Sequence, residues 1–365
     1  DSVLSDSQID SAIDNEEVDV ADDVADDADN ERETGLAEKT GLAEESDKTV
    51  PADAYSAEAR VADTARINAG RDIIVDADTT STVDTLNVAG SVGSAAVGGG
   101  VTVVSVEDRT SGYLGGTSRA PGSVKVIAAA PGDDTDDDDT TTDDDNWFAT
   151  VNDIAGKLNL ENDKLFPDNG RSDLKTFAGQ AGIAGLGATV AIFEDSSTAR
   201  AKVGDNASIT GLDDGSNGPD KITVQARLQP RVKNSALQAA GGFAGVGASV
   251  AHTTLSGSAY AGLGKGSQIS GDVLTIDAKT NGHNIAHAIG VAGGVAADVG
   301  ADAAAVDTTS ATAELSAKTD IDTNDKVKIR ASVKPQADAD ADGAAVGGGA
   351  VGLSSAEARV EPTVH

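Results

Sequence analysis

Residues 241–279 read GGFAGVGASVAHTTLSGSAYAGLGKGSQISGDVLTIDAK, and the fold follows from how that stretch alternates. In its last third Leu274, Ile276 and Ala278 are separated by Thr275 and Asp277. An apolar residue at every second position marks a strand with one buried face, whereas a helix repeats every 3.6 residues. Alanine at alternate positions lets a neighbouring layer approach closely. Glycine inside a strand is locally costly and marks close backbone approach or a bend. The stretch therefore reads as several strands punctuated by tight corners, with no long helical pattern.

Its three parts recur along the chain. The apolar-x-apolar-x-Ala motif appears at Ile73, Val124, Ile222, Leu274 and Val327, at spacings of 51, 98, 52 and 53 residues. A Gly/Ala-rich run leading into β-branched residues occupies 95–104, 184–193, 244–251, 290–299 and 344–353. A Ser/Thr-Ala-x-Ala motif starts at Ser56, Thr198, Ser258, Ser310 and Ser355, with a degraded copy at Ser111. The markers keep one order, so the chain is an array with a period near 50 residues. Such an array buries each repeat against its neighbours. The expected fold is all-β, a β-solenoid of stacked ~50-residue repeats, with stacked β-sandwiches as the alternative. Aromatics are only 2 % of the 365 residues while Gly numbers 42, which suits thin layers better than a globular core.

Composition excludes several classes. With Cys 0 there is no disulfide, thiol catalysis or Cys-ligated metal. Met is also 0, and the start at Asp1 reads as a processed or excised end; absence of both oxidisable sulfur residues suits an extracellular or cell-surface location. No apolar run reaches the ~20 residues of a membrane span. A net charge of −34 argues against nucleic-acid binding. That charge is concentrated: residues 1–50 carry 18 acidic and 3 basic side chains, and the run 133–145, DDTDDDDTTTDDD, adds nine aspartates. These are solvated appendages on a mildly acidic body.

The expected organisation is an acidic low-complexity tail or partner-binding arm at 1–50, β-repeats at 51–130, an acidic, aromatic-containing insertion at 131–176 and β-repeats at 177–365. The insertion explains the doubled 98-residue spacing and holds Trp147 and Phe148, with a short helical pattern through Ile154, Leu158 and Leu165. SAEARV occurs at Ser56 and again at Ser355, 299 residues later, so the body is expected to begin and end in one phase with open, equivalent ends. Unpaired strand edges are a template for another chain. Ser56, Ala57, Ala59 and Val61 at one end, Ser355, Ala356, Ala358 and Val360 at the other, and Trp147 with Phe148, are the candidate self-assembly residues. Head-to-tail stacking is heterologous and gives an open filament. The alternative partner for each edge is a neighbouring repeat of a longer chain.

The stretch at 241–279 and the shorter GLSSAEARVEPTV at 352–364 resemble the repeats of giant bacterial surface proteins of the filamentous-haemagglutinin and leukotoxin-like filamentous-adhesin type. The resemblance covers roughly 55–130 and 177–365. It implies an extended extracellular β-solenoid with a role in attachment or surface structure, and a cell-surface or glycan receptor as a further partner.

Candidate chemistry is sparse. Asp133, Asp134, Asp136, Asp137, Asp138 and Asp139 form a candidate calcium cluster, since hard cations take several carboxylates; no cofactor is otherwise required. His283 and His287 have the spacing of a helical metal pair but sit in strand-like sequence, where they share a face about 13 Å apart. Asp338-x-Asp340-x-Asp342-Gly343 copies half an EF-hand loop, yet Gly349 replaces the twelfth-position Glu, so it reads as strand alternation. Gly262–Ser267 reads as a turn, and Asn206-Ala-Ser208 is a glycosylation sequon. The expected function is a structural subunit or segment of an extracellular filament, sheath or adhesin stalk and not an enzyme. A ligand-binding adhesin module is the alternative, and a polysaccharide-active β-helix enzyme stands behind it.

Overall fold

The computed structural model describes residues 56–130, 172–211 and 218–365, all within the unit Tyr55–His365. The segment 1–50, the aspartates Asp133–Asp139, and Trp147 and Phe148 lie outside the described residues. The protein is all-β: no helix occurs among the described residues, and its strand pairs are parallel.

The chain passes repeatedly through three sheets. The first pass is β1 (Ala57–Val61), β2 (Arg66–Asn68), β3 (Ile73–Asp78) and β4 (Asp84–Val106). The second is β5 (Arg109–Leu114), β6 (Thr117–Arg119), β7 (Ser123–Ala130) and β8 (Ser172–Asp195). The third is β9 (Thr198–Val203), β10 (Ser208–Thr210), β11 (Lys221–Leu228) and β12 (Arg231–Leu255). In the fourth, β13 (Ser258–Leu263) leads to β14 (Gln268–Thr280), β15 (His283–Gly293) and β16 (Ala296–Asp307). The fifth is β17 (Ser310–Leu315), β18 (Asp320–Val333), β19 (Gln336–Val346) and β20 (Gly349–Val360), after which β21 (Thr363–Val364) returns to the first sheet. That sheet runs β1-β5-β9-β13-β17-β21, one strand per pass. The second sheet collects β2, β3 and their successors, and the third collects β4 and its successors.

Register carries the repeat. Ile73 pairs with Val124, Val124 with Ile222, Ile222 with Leu274 and Leu274 with Val327, so all five copies of the first motif share one position across the second sheet. A strand slipped by one residue would turn its whole buried face to solvent, so each column is apolar throughout. Val124, Ile222 and Leu274 are fully buried, against Leu114, Val203, Ala261 and Leu263 of the first sheet.

The third sheet folds on itself. Gly93 pairs with Gly182 and Gly182 with Gly242, and Gly294 and Gly347 continue the column. A Cβ added to Gly182 would lie 1.9 Å from the Gly93 carbonyl oxygen, and one on Gly242 would lie 1.9 Å from that of Gly182. Only glycine lets the passes nest at this corner, where Gly242 also has φ +152°. Beside it the arms of the third sheet face each other across an alanine-rich layer that includes Ala191, Ala236, Ala251, Ala288 and Ala303. The tight corners expected from the glycine runs are therefore present.

Two expectations need correction. Ser355 does not share the phase of Ser56. Ala57 pairs with Thr110, and the column continues through Ala199, Ala259 and Ala311 to Val364, in the first sheet. Ser355 instead pairs with Asp302 in the third sheet. Successive steps of the first-sheet column span 53, 89, 60, 52 and 53 residues, so the interval of 299 matched six periods only because two passes are lengthened. The hexapeptide recurs because both edge strands want small residues on one face. The repeat also resumes at Ser172, earlier than the insertion boundary at 176, because β8 opens with Ser-Asp-Leu-Lys-Thr-Phe and lacks the Gly/Ala composition that marks the other arms.

Candidate assembly surfaces

The two ends of the stack are the least satisfied parts of the fold. Among the described residues, in the last pass β18 pairs only with β14, β19 only with β15 and β20 only with β16. Core-facing Val327, Ile329 and Val360 are 44, 45 and 43 % exposed, although Leu274 and Ile276 of the preceding pass are at 0 %. At the other end Ile73 and Val75 stay at 6 %, so the ends are not equivalent, contrary to the expectation drawn from SAEARV. Ser56 precedes β1, which holds Ala57, Ala59 and Val61; Ser355, Ala356, Ala358 and Val360 belong to β20. All eight are at edges, but of different sheets, so the two copies of the hexapeptide do not meet as one continued strand column.

Polar side chains tie the arms of the third sheet, and sequence reasoning missed them. Asn234 Nδ2 donates to the carbonyls of Ala191 and His252 at 2.8 and 2.9 Å, and Asn284 Nδ2 to those of Thr253 and Val306 at 3.2 and 2.9 Å. Gln180 Nε2 reaches the Gly98 carbonyl at 3.0 Å and Asn87 Nδ2 that of Val101 at 2.9 Å. The available signal was an amide breaking into an Ala-rich alternation. A buried amide survives there only when bonded.

Ionisable groups form ladders on the outward faces. His283 and His287 stand on one face of β15, as expected for a strand, and Asp338, Asp340 and Asp342 stand on β19 beside it. His283 Nε2 lies 3.8 Å from Asp338 Oδ2. Burial pushes both histidines below the usual imidazole range, against the pull of Asp338 and Asp340. His252 Nε2 lies 2.8 Å from Asp302 Oδ2 on the next pass. On the first sheet Arg60 stacks 4.7 Å from the centroid of Tyr113, whose hydroxyl donates to Asp63. Burial and that carboxylate push the Tyr113 hydroxyl up to about 12. Arg200 stacks likewise on Tyr260 at 5.1 Å. Each contact joins successive passes, so these ladders reinforce stacking.

Among the described residues no group of three or more His, Asp or Glu side chains is placed to hold a metal ion. Gly262–Ser267 runs from the end of β13 into a turn before β14, with Gly266 at φ +70°. Asn206 of the sequon occupies the equivalent turn at φ 56°. No described helix is long and apolar enough to cross a membrane. A broad outward face of the third sheet is apolar: Val97 pairs with Leu186 and Leu186 with Val246, at 69, 46 and 43 % exposure, beside Val101 and Val103.

No family model, no curated protein and no solved structure matches the chain.

Proposed function

We propose that this chain is a structural element of an extracellular filament, sheath or adhesin stalk, a parallel β-solenoid that extends head to tail through its exposed strand edges. The observation that carries the reading is the open core of the last pass, where Val327, Ile329 and Val360 are each more than 40 % exposed. An uncovered pass of a stacked array needs a neighbour, either a second copy or a further repeat of a longer chain, and covering these side chains gains roughly 1 kcal/mol each. A common register over five passes supplies length, and the parallel edges supply cohesion. The likeness to filamentous surface proteins points the same way. The exposed apolar face around Val97, Leu186 and Val246 favours a second reading, a ligand-binding adhesin module.

Electron microscopy of the purified chain, with and without a calcium chelator, tests the reading. Strands stack about 4.8 Å apart, so five passes give an axial repeat of about 24 Å. Filaments with that repeat support the proposal, and their loss on chelation assigns bridging to the aspartate run Asp133–Asp145. Monodisperse particles at high concentration sink it and favour the adhesin module.

A further inference from the structure

The registers that relate one pass to the next also define where a following copy lands. Val327 of the last pass occupies the same column as Ile73 of the first. By that offset Lys326 is equivalent to Asp72, Lys328 to Ile74, Arg330 to Asp76 and Ser332 to Asp78. The outward face of β18 is thus basic where the outward face of β3 is acidic. Lys326, Lys328 and Arg330 are exposed, as are Asp76 and Asp78, while Asp72 is half-buried and accepts bonds from the Ser123 backbone and hydroxyl. In an otherwise acidic chain, this placement of three cations on one terminal strand and three carboxylates on the opposite one is a complementary pair of edges.

We propose that the acidic edge of β3 and the basic edge of β18 are two halves of one interface, occupied by a second copy of this chain in continuing register, with Arg330 of one copy beside Asp76 of the next. The inference rests on the filament reading and names its contact. Within its own chain Arg330 pairs in register with Asp277, so mating leaves the guanidinium between two carboxylates. Burial and Asp78 raise the Asp76 carboxyl, and an arriving cation relieves that cost. The core columns match as well: Val327, Ile329 and Ala331 meet Ile73, Val75 and Ala77, the residue classes found at every internal step. Two contacts oppose, since the same offset sets Asp338 against Asp84 in the third sheet and Glu361 against Glu107 just beyond it. Lys326 facing Asp72 and Arg330 facing Asp76, joined at the same offset by Asp320 facing Arg66 and Glu314 facing Arg60, outweigh those two like-charge pairs. Mating also displaces β21, whose Thr363 and Val364 occupy the positions on β17 equivalent to Ser56 and Ala57. A two-residue strand gives way to the five-residue β1.

The test is a charge swap on the full chain, read by sedimentation and electron microscopy, with circular dichroism to confirm folding. Lys328→Glu/Arg330→Glu and Asp76→Lys/Asp78→Lys are each expected to raise the critical concentration for assembly at least about tenfold. An equimolar mixture of the two is expected to assemble like the unaltered chain, because each end then meets its opposite charge; misfolded variants give no such rescue. Removing Thr363–His365 is expected to lower the critical concentration. Single variants that assemble normally, or a mixture that does not, overturn this contact while leaving the filament reading standing. An unaltered chain that never assembles overturns both.

Discussion

Replacing Gly242 with alanine is expected to destabilise the third pass by about 2–5 kcal/mol. The added Cβ would sit 1.9 Å from the Gly182 carbonyl oxygen and 3.1 Å from that of Ile183, both backbone atoms that no rotamer change can move. Overpacking against fixed backbone costs about 1–3 kcal/mol. A side chain at φ +152° adds about 1–2 kcal/mol, because β-carbon sterics disfavour that region. Gly293 is the control, with nothing within 4 Å of its added Cβ. Alanine there is expected to be neutral or to stabilise by up to about 1 kcal/mol through the unfolded chain. Urea unfolding at neutral pH is the assay. With m of roughly 3 kcal/mol/M, Gly242→Ala lowers the midpoint by about 0.7–1.7 M while Gly293→Ala leaves it in place or raises it slightly. Because neighbouring passes share their stability, the variant is also expected to broaden the transition as the stack divides at the third pass. Equal midpoints for the two variants would refute the corner as the place where only glycine fits.

Further outcomes follow from the same geometry. Asn284→Ala removes two bonds to backbone carbonyls of the opposite arm and is expected to cost about 1–3 kcal/mol, measured by the same unfolding. Lys318 holds φ 62° at the turn position where Gly266 has φ 70°, so Lys318→Gly is expected to stabilise by about 1 kcal/mol, read as a raised Tm. Folding depresses the His283 and His287 pKa values, so below 6.5 the unfolded chain takes up protons first. Stability is therefore expected to be complete above 6.5 and to fall as pH drops from there toward the folded pKa values. His287→Gln should flatten that slope in pH-dependent melts; an unchanged slope would clear His287 of the role.

The repeat itself was legible in the sequence because a strand has a period of two and the columns must stay apolar. Ile73, Val124, Ile222, Leu274 and Val327 could be aligned by eye, and they pair as aligned. The corner glycines were legible for a related reason, since no other residue tolerates a neighbouring backbone at 1.9 Å. Period-two alternation determined an all-β body, and composition its small-residue layers. Phase was not legible wherever a pass was lengthened: SAEARV at Ser355 looks like SAEARV at Ser56, and only pairing assigns one to the third sheet and the other to the first. A hexapeptide records which face needs small residues and not which sheet it joins. The amides of Asn234 and Asn284, the unequal ends and the pairing of Arg330 with Asp277 likewise depend on residues far apart in sequence being brought together. Local periodicity determined the strands; the tertiary structure decided which columns they build, because register is a relation between passes that no single stretch contains.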